Sequence, residues 1–137
     1  MLRRNDKVEL IKKVPLFAHC SKRELQEVAQ LADEIDLREG KEMTRQGSRG
    51  REFFVLLEGD ASVNKDGRRI NTLGGGDFFG EIALVSDTPR TATVTATSPV
   101  RALVITDRSF KRLLEEMPQI QAKVLSALAD RLAPELV

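Results

Sequence analysis

The chain has 137 residues, 41% of them hydrophobic and 31% charged, a composition typical of one globular domain. Its 22 basic and 21 acidic side chains nearly cancel, so charge gives no indication of direct binding to nucleic acid or to a membrane. The single cysteine, Cys20, excludes an intramolecular disulfide, and a charged N-terminus without a long apolar run predicts a cytoplasmic protein without a signal peptide or membrane span.

The first part of the chain, residues 5–33, is predicted to form helices. Pro15 interrupts an apolar stripe and is expected to end the first helix near Lys13. Ser21 and Glu24 form a capping-box pattern, which is typical of the start of a second helix.

Residues 35–105 have the pattern of short β-strands separated by turns. Asp66-Gly67 is a strong signal for a two-residue hairpin. The frequent turn signals indicate a sandwich or barrel rather than a parallel sheet. Strands are predicted at residues 35–37, 42–44, 53–57, 61–64, 69–73, 91–96 and 100–105.

Residues 106–134 are predicted to form two further helices. Thr106 or Asp107 can cap the first, and Pro118 suits the first turn of the second. The second helix has an apolar stripe, which belongs either to the core or to a cover over a ligand. The predicted fold is one domain, residues 1–137, mainly β with flanking α: an antiparallel, jelly-roll-like β-roll with N-terminal helices and two C-terminal helices.

The segment 80–92 contains residue types that suit a phosphate and a sugar. Gly80 allows backbone N–H groups to approach an anion, and Arg90 carries a fork of donors that matches phosphate oxygens. A carboxylate beside a phosphate is repulsive, so Glu81 is better explained as an acceptor for sugar hydroxyls. A phosphate held close to its own sugar describes a cyclic nucleotide. The simpler alternative is a salt bridge between Glu81 and Arg90 on a turn.

The strings Gly80-Glu81-Ile82-Ala83-Leu84 and Thr88-Pro89-Arg90-Thr91-Ala92-Thr93-Val94 resemble the phosphate-binding cassette of the cyclic nucleotide-binding domain family. The spacing of Gly40, Gly47 and Gly59 is also similar to the glycine turns of that family's β-roll. The resemblance covers nearly the whole chain, because the helices on either side fall where the family has them.

The resemblance implies a ligand site whose two main contacts come from Glu81 and Arg90. Glu81 would contact the ribose 2′-hydroxyl and Arg90 the exocyclic phosphate oxygens. The chain has no Trp or Tyr, which excludes an aromatic lid of those types. The resemblance implies that the C-terminal helix covers the base, where Arg131 can stack on a purine unless it is simply exposed. The predicted ligand-binding residues are Gly80, Glu81, Ile82, Ala83, Arg90, Thr91, Ala92 and Arg131, with Leu132 and Leu136 as further candidates to cover the base.

The resemblance implies a sensor without catalytic activity that binds cAMP and signals by movement of its C-terminal helices. The hydroxyl of Thr91 leaves cGMP open as the ligand. The sequence shows no acidic side chain near Ser62 to brace Arg90, and the lone histidine, His19, cannot build a multi-histidine metal site. The alternatives are a protein-interaction scaffold with an empty or repurposed pocket, and the sensor part of a larger transcription regulator. An effector protein and a homodimer through the C-terminal helix are further expectations.

Overall fold

The computed structural model describes residues 4–81, 84 and 87–136, with side chains between residues 6 and 130. The helices in this part of the chain are α1 (Arg4–Lys12), a 3-10 turn (Pro15–Phe17), α2 (Lys22–Leu31), α3 (Asp107–Glu116) and α4 (Pro118–Leu136). The strands are β1 (Asp33–Leu37), β2 (Glu42–Thr44), β3 (Glu52–Glu58), β4 (Ala61–Lys65), β5 (Arg68–Leu73), β6 (Phe78–Phe79), β7 (Thr93–Ala96) and β8 (Val100–Thr106).

The strands form two antiparallel sheets of four strands each, in the orders β1-β8-β3-β6 and β2-β7-β4-β5. Strand β3 explains how the sheets and helices share a core. Phe54 and Leu56 point into the cluster between the two sheets, whereas Phe53 and Val55 point into the cluster formed with the helices. The continuous apolar run of β3 therefore reflects burial on both faces of one strand.

The helices pack against the outer face of the first sheet. Helix α3 is held there by Phe110, whose ring stacks on Phe53 with centroids 4.4 Å apart. Buried residues of the other helices complete this cluster, among them Ile11, Leu25, Val28, Ile120 and Val124. No helix in the described part of the chain combines the length and apolar character that crossing a bilayer requires.

Several local predictions are confirmed. The side chain of Ser21 accepts a hydrogen bond from the backbone of Glu24, and the Glu24 carboxylate accepts one from the backbone of Ser21. Thr106, rather than Asp107, caps α3, and α4 begins at Pro118. The Asp66-Gly67 turn joins β4 to β5.

Several predicted boundaries were wrong. The first strand begins at Asp33 and not at residue 35, because Asp33 still pairs with Val104 of β8. Strand β7 begins at Thr93 and not at residue 91, since the backbone of Arg90 bonds to a different segment, described below. The final helix runs to Leu136, two residues beyond the predicted end.

Strand β6 was also missed, because it consists of only two residues and lies between the glycines 74–76 and Gly80. Phe79 pairs with Phe54 of β3, and their rings stack with centroids 4.9 Å apart. This pairing places Gly80 beside Glu52 and Phe53 at the start of β3, and Glu81 follows Gly80 at the candidate site.

Candidate functional site

The backbone of Arg90 is fixed by the loop between β2 and β3. The N–H of Gly47 donates to the carbonyl of Arg90, and the N–H of Arg90 donates to the carbonyl of Ser48, each at 2.8 Å. Pro89 forms an isolated antiparallel bridge with Arg49 next to these bonds. The main chain of Arg90 therefore has a defined position in the structure.

The side chain of Arg90 is braced by backbone carbonyl groups. Its Nη1 donates to the carbonyl of Gly80 at 3.0 Å, and its Nη2 donates to the carbonyl of Glu52 at 2.6 Å. Its Cζ lies 6.0 Å from the centroid of the Phe54 ring, and the residue is 7% exposed. The sequence shows no acidic side chain near Ser62 that could anchor Arg90. In the structure these two backbone carbonyls anchor it instead.

Glu81 and Arg90 are buried and act on each other electrostatically. Glu81 is 0% exposed. Burial lowers the pKa of the Arg90 guanidinium, while the negative charges of Glu52 and Glu81 act in the opposite direction. An arginine keeps its charge despite such shifts, because its ordinary pKa lies far above neutral pH. The structure thus brings a buried carboxylate and a buried cation into one site.

Gly80 is required at its position for conformational and steric reasons. Its φ is +96°, which lies in the left-handed region that favours glycine. A Cβ added there would lie 2.8 Å from Nη1 of Arg90 and 2.9 Å from the carbonyl oxygen of Glu52. A side chain at this residue would therefore disturb the bonds that hold the guanidinium.

The other predicted site residues are placed as follows. Thr91 and Ala92 are half-buried. The carbonyl of Ala92 accepts a hydrogen bond from the Thr44 hydroxyl, whose oxygen in turn accepts one from the N–H of Val94, each at 3.1 Å. Outside the described residues lie Ile82, Ala83 and the side chains of Arg131, Leu132 and Leu136.

A cavity of about 670 Å³ opens beside Arg90. Its volume lies within the range of small-molecule sites, about 300–1,000 Å³. Glu81 does not belong to its described lining, so the cavity borders the site on the side of the guanidinium. The lining consists mainly of polar and charged residues: Gly40, Lys41, Glu42, Met43, Thr44, Arg45, Ser48, Arg49, Glu52, Arg90 and Thr95.

The described residues do not favour metal binding or thiol chemistry. Among the residues that the structure describes, no group of three or more His, Cys, Asp or Glu side chains is arranged to hold a metal ion. Burial, together with the charge of Glu24, raises the pKa of the Cys20 thiol. The thiol form is therefore favoured over the more nucleophilic thiolate at that residue.

The fold, two antiparallel sheets with helices packed against one of them, is that of a regulatory β-roll domain. The family described as "Cyclic nucleotide-binding domain" matches residues 34–117, and the chain belongs to that family. It is a cyclic nucleotide-binding regulatory domain that resembles the regulatory subunits of protein kinase A. The identification of the family from the sequence is confirmed.

Relatives of known description agree with this assignment. The chain is 40% identical to a cAMP-dependent protein kinase regulatory subunit of Mycosarcoma maydis, over 74% of this chain and 21% of that protein. It is 33% identical to a cGMP-dependent protein kinase of Toxoplasma gondii, over 77% of this chain and 11% of that protein. The chain therefore spans about a fifth or less of the length of these curated relatives.

A solved structure extends the similarity to the fold. The second cyclic nucleotide-binding domain of a protein kinase A regulatory subunit, with Sp-2Cl-cAMPS bound, is 28% identical and superimposes with a TM-score of 0.84. The match covers 98% of this chain and 92% of that one. The predicted β-roll with flanking helices is thereby confirmed.

Sequence reasoning missed two participants in the site, Gly50 and Glu52. Glu52 acts through its backbone carbonyl, which every residue type possesses, so its identity gave no signal. Gly50 lies against the Arg90 side chain and was not singled out among the glycines. The one signal available in the sequence was a second glycine three residues after Gly47.

Proposed function

We propose that this domain binds cAMP through Arg90 and Glu81 and passes the binding event to its C-terminal helices. The observation that carries the proposal is the buried guanidinium of Arg90, which is held by two backbone carbonyls beside the buried Glu81 carboxylate. Burying a cation is unfavourable unless its hydrogen bonds and charge are compensated. A buried charge of this kind is typical of a functional site.

In this proposal Arg90 binds the exocyclic oxygens of the cyclic phosphate. A guanidinium has five N–H donors, and its bonds to Gly80 and Glu52 use donors on two different nitrogens. Further donors then serve a phosphate group, and hydrogen bonds between a cation and an anion are stronger than neutral ones. A bound phosphate would also compensate the charge that burial leaves on Arg90.

Glu81 is assigned to the ribose 2′-hydroxyl. A carboxylate accepts hydrogen bonds, and a ribose hydroxyl is the donor on a cyclic nucleotide that lies near its phosphate. The N–H groups of Ile82 and Ala83 would add phosphate contacts, with Thr91 and Ala92 beside the ligand. Arg131 would cover the base. These assignments are supported by the positions of Glu81 and Arg90 and by membership of the family.

The preference for cAMP over cGMP rests on the relatives. The curated relative with 40% identity is named as cAMP-dependent, and that with 33% identity as cGMP-dependent. The Thr91 hydroxyl can offer guanine one hydrogen bond, which is worth about 1 kcal/mol. We therefore expect both nucleotides to bind, with cAMP the tighter of the two.

The signal would leave the domain through α3 and α4. A ligand changes an equilibrium between two conformations only by its different affinity for them. Helix α4 is connected to the N-terminal helices, since Gln119 Nε2 donates to Glu24 Oε2 at 3.0 Å and Lys123 donates to the carbonyl of Pro15. A displacement of α4 must therefore break these bonds or carry the N-terminal segment along. The effector, a homodimer through α4, the extent of the domain over residues 1–137 and a cytoplasmic location stay predictions.

Calorimetric titration with three nucleotides tests this function. We expect measurable binding of cAMP and cGMP, and weaker binding of 5′-AMP, whose phosphate is not closed onto the sugar. Heat with neither cyclic nucleotide would reject the proposal in favour of a scaffold whose pocket is empty or repurposed. Equal affinity for cAMP and 5′-AMP would reject the assignment of the site to a cyclic phosphate.

A further inference from the structure

Gly50 is in closer contact with the Arg90 side chain than any other residue type would allow. A Cβ added at Gly50 would lie 2.5 Å from Nε, 2.6 Å from Cζ and 3.0 Å from Cδ of Arg90. Distances below 3.0 Å do not occur between a real Cβ and a neighbouring heavy atom, so a side chain here requires Arg90 to move. The contact lies along the stem of the guanidinium, on the part that aims it.

The backbone of Gly50 gives no other reason for a glycine. Its φ is outside the left-handed region in which Gly47 and Gly80 lie. An alanine at this residue would therefore meet no conformational strain of the kind that Gly80 would impose. The reason that glycine fits at residue 50 and alanine does not is that the Arg90 side chain occupies the space of a Cβ.

Gly50 and Gly80 together define a narrow slot for the guanidinium. Gly50 lies against Nε and Cζ, and Gly80 lies against Nη1. Within the slot Nη1 and Nη2 reach the carbonyls of Gly80 and Glu52. The hydrogen bonds to Gly80 and Glu52 both require the guanidinium to reach fully into the slot. An added methyl group at residue 50 would keep it from doing so.

We propose that Gly50 is a positioning residue for ligand binding, which acts by leaving room for Arg90 to bind both carbonyls and thereby aims it at the phosphate. This inference rests on the proposed function for its ligand, although the contact between Gly50 and Arg90 does not. Because Arg90 is a flexible side chain, a substitution at Gly50 displaces the guanidinium and leaves the β-roll folded. The expected defect is therefore in binding.

The variant Gly50→Ala, compared with Gly74→Ala, tests the inference. Gly74 is also outside the left-handed region, and a Cβ there would meet Asp60 Oδ1 at 3.5 Å, an ordinary contact. We expect Gly50→Ala to weaken cAMP binding about ten-fold or more, the effect of misplacing one charged hydrogen bond, with no comparable change in Gly74→Ala. Unchanged affinity in a folded Gly50→Ala variant would overturn the proposal.

A second measurement needs no nucleotide. The melting temperatures of wild type, Gly50→Ala, Arg90→Ala and the double variant form a double-mutant cycle, which isolates the interaction between the two residues. We expect the loss in Tm caused by Gly50→Ala to shrink when Arg90 is absent. Additive changes in Tm would overturn the proposal, because they would show that Gly50 does not act through Arg90.

The two measurements separate the possible failures. If wild type binds neither cAMP nor cGMP, the proposed function fails, and the cycle alone decides whether Gly50 positions Arg90. If wild type binds cAMP and the cycle is additive, the function stands and the role of Gly50 is refuted. A Gly50→Ala variant without the circular dichroism spectrum of wild type would also refute it, because the proposal requires the fold to be retained.

Discussion

Nη1 of Arg90 donates a hydrogen bond to the carbonyl of Gly80 at 3.0 Å, which joins the two ends of the segment between them. Glu81 follows Gly80 directly, so the residue assigned to the phosphate is tied to the peptide that carries the residue assigned to the sugar. A ligand that shifts Arg90 must therefore act on the position of Glu81 as well. This relationship makes the two contacts with the nucleotide interdependent.

Replacing Gly80 by alanine is expected to destabilise the domain and weaken cAMP binding. The φ of +96° imposes strain on any other residue, and the added Cβ would meet Arg90 and the Glu52 carbonyl. Strained backbone of this kind costs about 1–3 kcal/mol, to which the crowding adds. Urea unfolding and calorimetry measure the two effects.

Gly40→Ala is the matched control for that substitution. Gly40 has a φ of +90°, and a Cβ there would have nothing within 4 Å. It therefore reports the cost of the backbone conformation alone. If Gly80→Ala destabilises no more than Gly40→Ala and binds cAMP normally, the crowding against Arg90 has no consequence and our description of the site is wrong.

Glu81→Gln is expected to lower the affinity for cAMP about ten-fold, because an amide is a weaker acceptor than a carboxylate for the ribose hydroxyl. The probe that identifies the contact is 2′-deoxy-cAMP, which lacks that hydroxyl. Wild type should bind it less tightly than cAMP, and Glu81→Gln should change its affinity much less than that of cAMP. Equal losses for both ligands in competition titrations would show that Glu81 acts elsewhere than on the 2′-hydroxyl.

Phe110→Ala is expected to destabilise the domain by about 3–5 kcal/mol, as is usual when a buried phenylalanine is truncated. Phe110 is 1% exposed and stacks on Phe53, so its loss removes much of the packing between α3 and the β-roll. Leu125→Ala is the control, since Leu125 is 49% exposed and a surface substitution of this kind changes stability by about 0.5 kcal/mol or less. Similar urea midpoints for both variants would contradict the packing described for α3.

Glu24 is expected to contribute a pH-dependent part of the stability. The backbone N–H of Ser21 and, to a smaller extent, the side chain of Gln119 lower the pKa of its carboxyl in the folded protein. A carboxyl whose pKa is lower when folded stabilises the protein above its unfolded pKa of about 4.3, and this contribution is lost as the pH falls through the folded pKa. The loss therefore occurs in the acid range.

Melting temperatures measured between neutral and acid pH test this expectation. Wild type should exceed Glu24→Gln most clearly at neutral pH, and the difference should disappear in acid. Glu27→Gln, on the same helix, is the control. A constant difference between wild type and Glu24→Gln at every pH would rule out the titration of Glu24 as its cause.

Much of the fold could be predicted because its signals are local. Ser21 with Glu24, Asp66 with Gly67, and Thr106 before α3 each satisfy backbone groups within a few residues, so the sequence alone shows the pattern. The strand β3 was equally clear, because burial on both faces produces an unbroken apolar run. Glu81 and Arg90 were predicted as site residues because a guanidinium suits a phosphate, a carboxylate suits sugar hydroxyls, and the segment around them resembles the family's cassette.

The parts that escaped prediction depend on contacts between distant segments. Strand β6 is held by the pairing of Phe79 with Phe54, a long-range contact that no local pattern announces. The brace of Arg90 comes from the carbonyl of Glu52, and the space for it comes from the missing side chain of Gly50. Neither a carbonyl group nor an empty volume is visible as a residue type in a sequence.

The most direct test of the central claim is calorimetric titration of Arg90→Ala with cAMP beside wild type. Arg101→Ala is the control. Arg101 lies on β8, outside the cassette, and its Nε pairs with Asp36 Oδ1 at a distance of 3.1 Å. We expect wild type and Arg101→Ala to bind cAMP alike and Arg90→Ala to lose most of the affinity, about ten-fold or more. Equal affinity of wild type and Arg90→Ala would contradict the assignment of Arg90 to the phosphate.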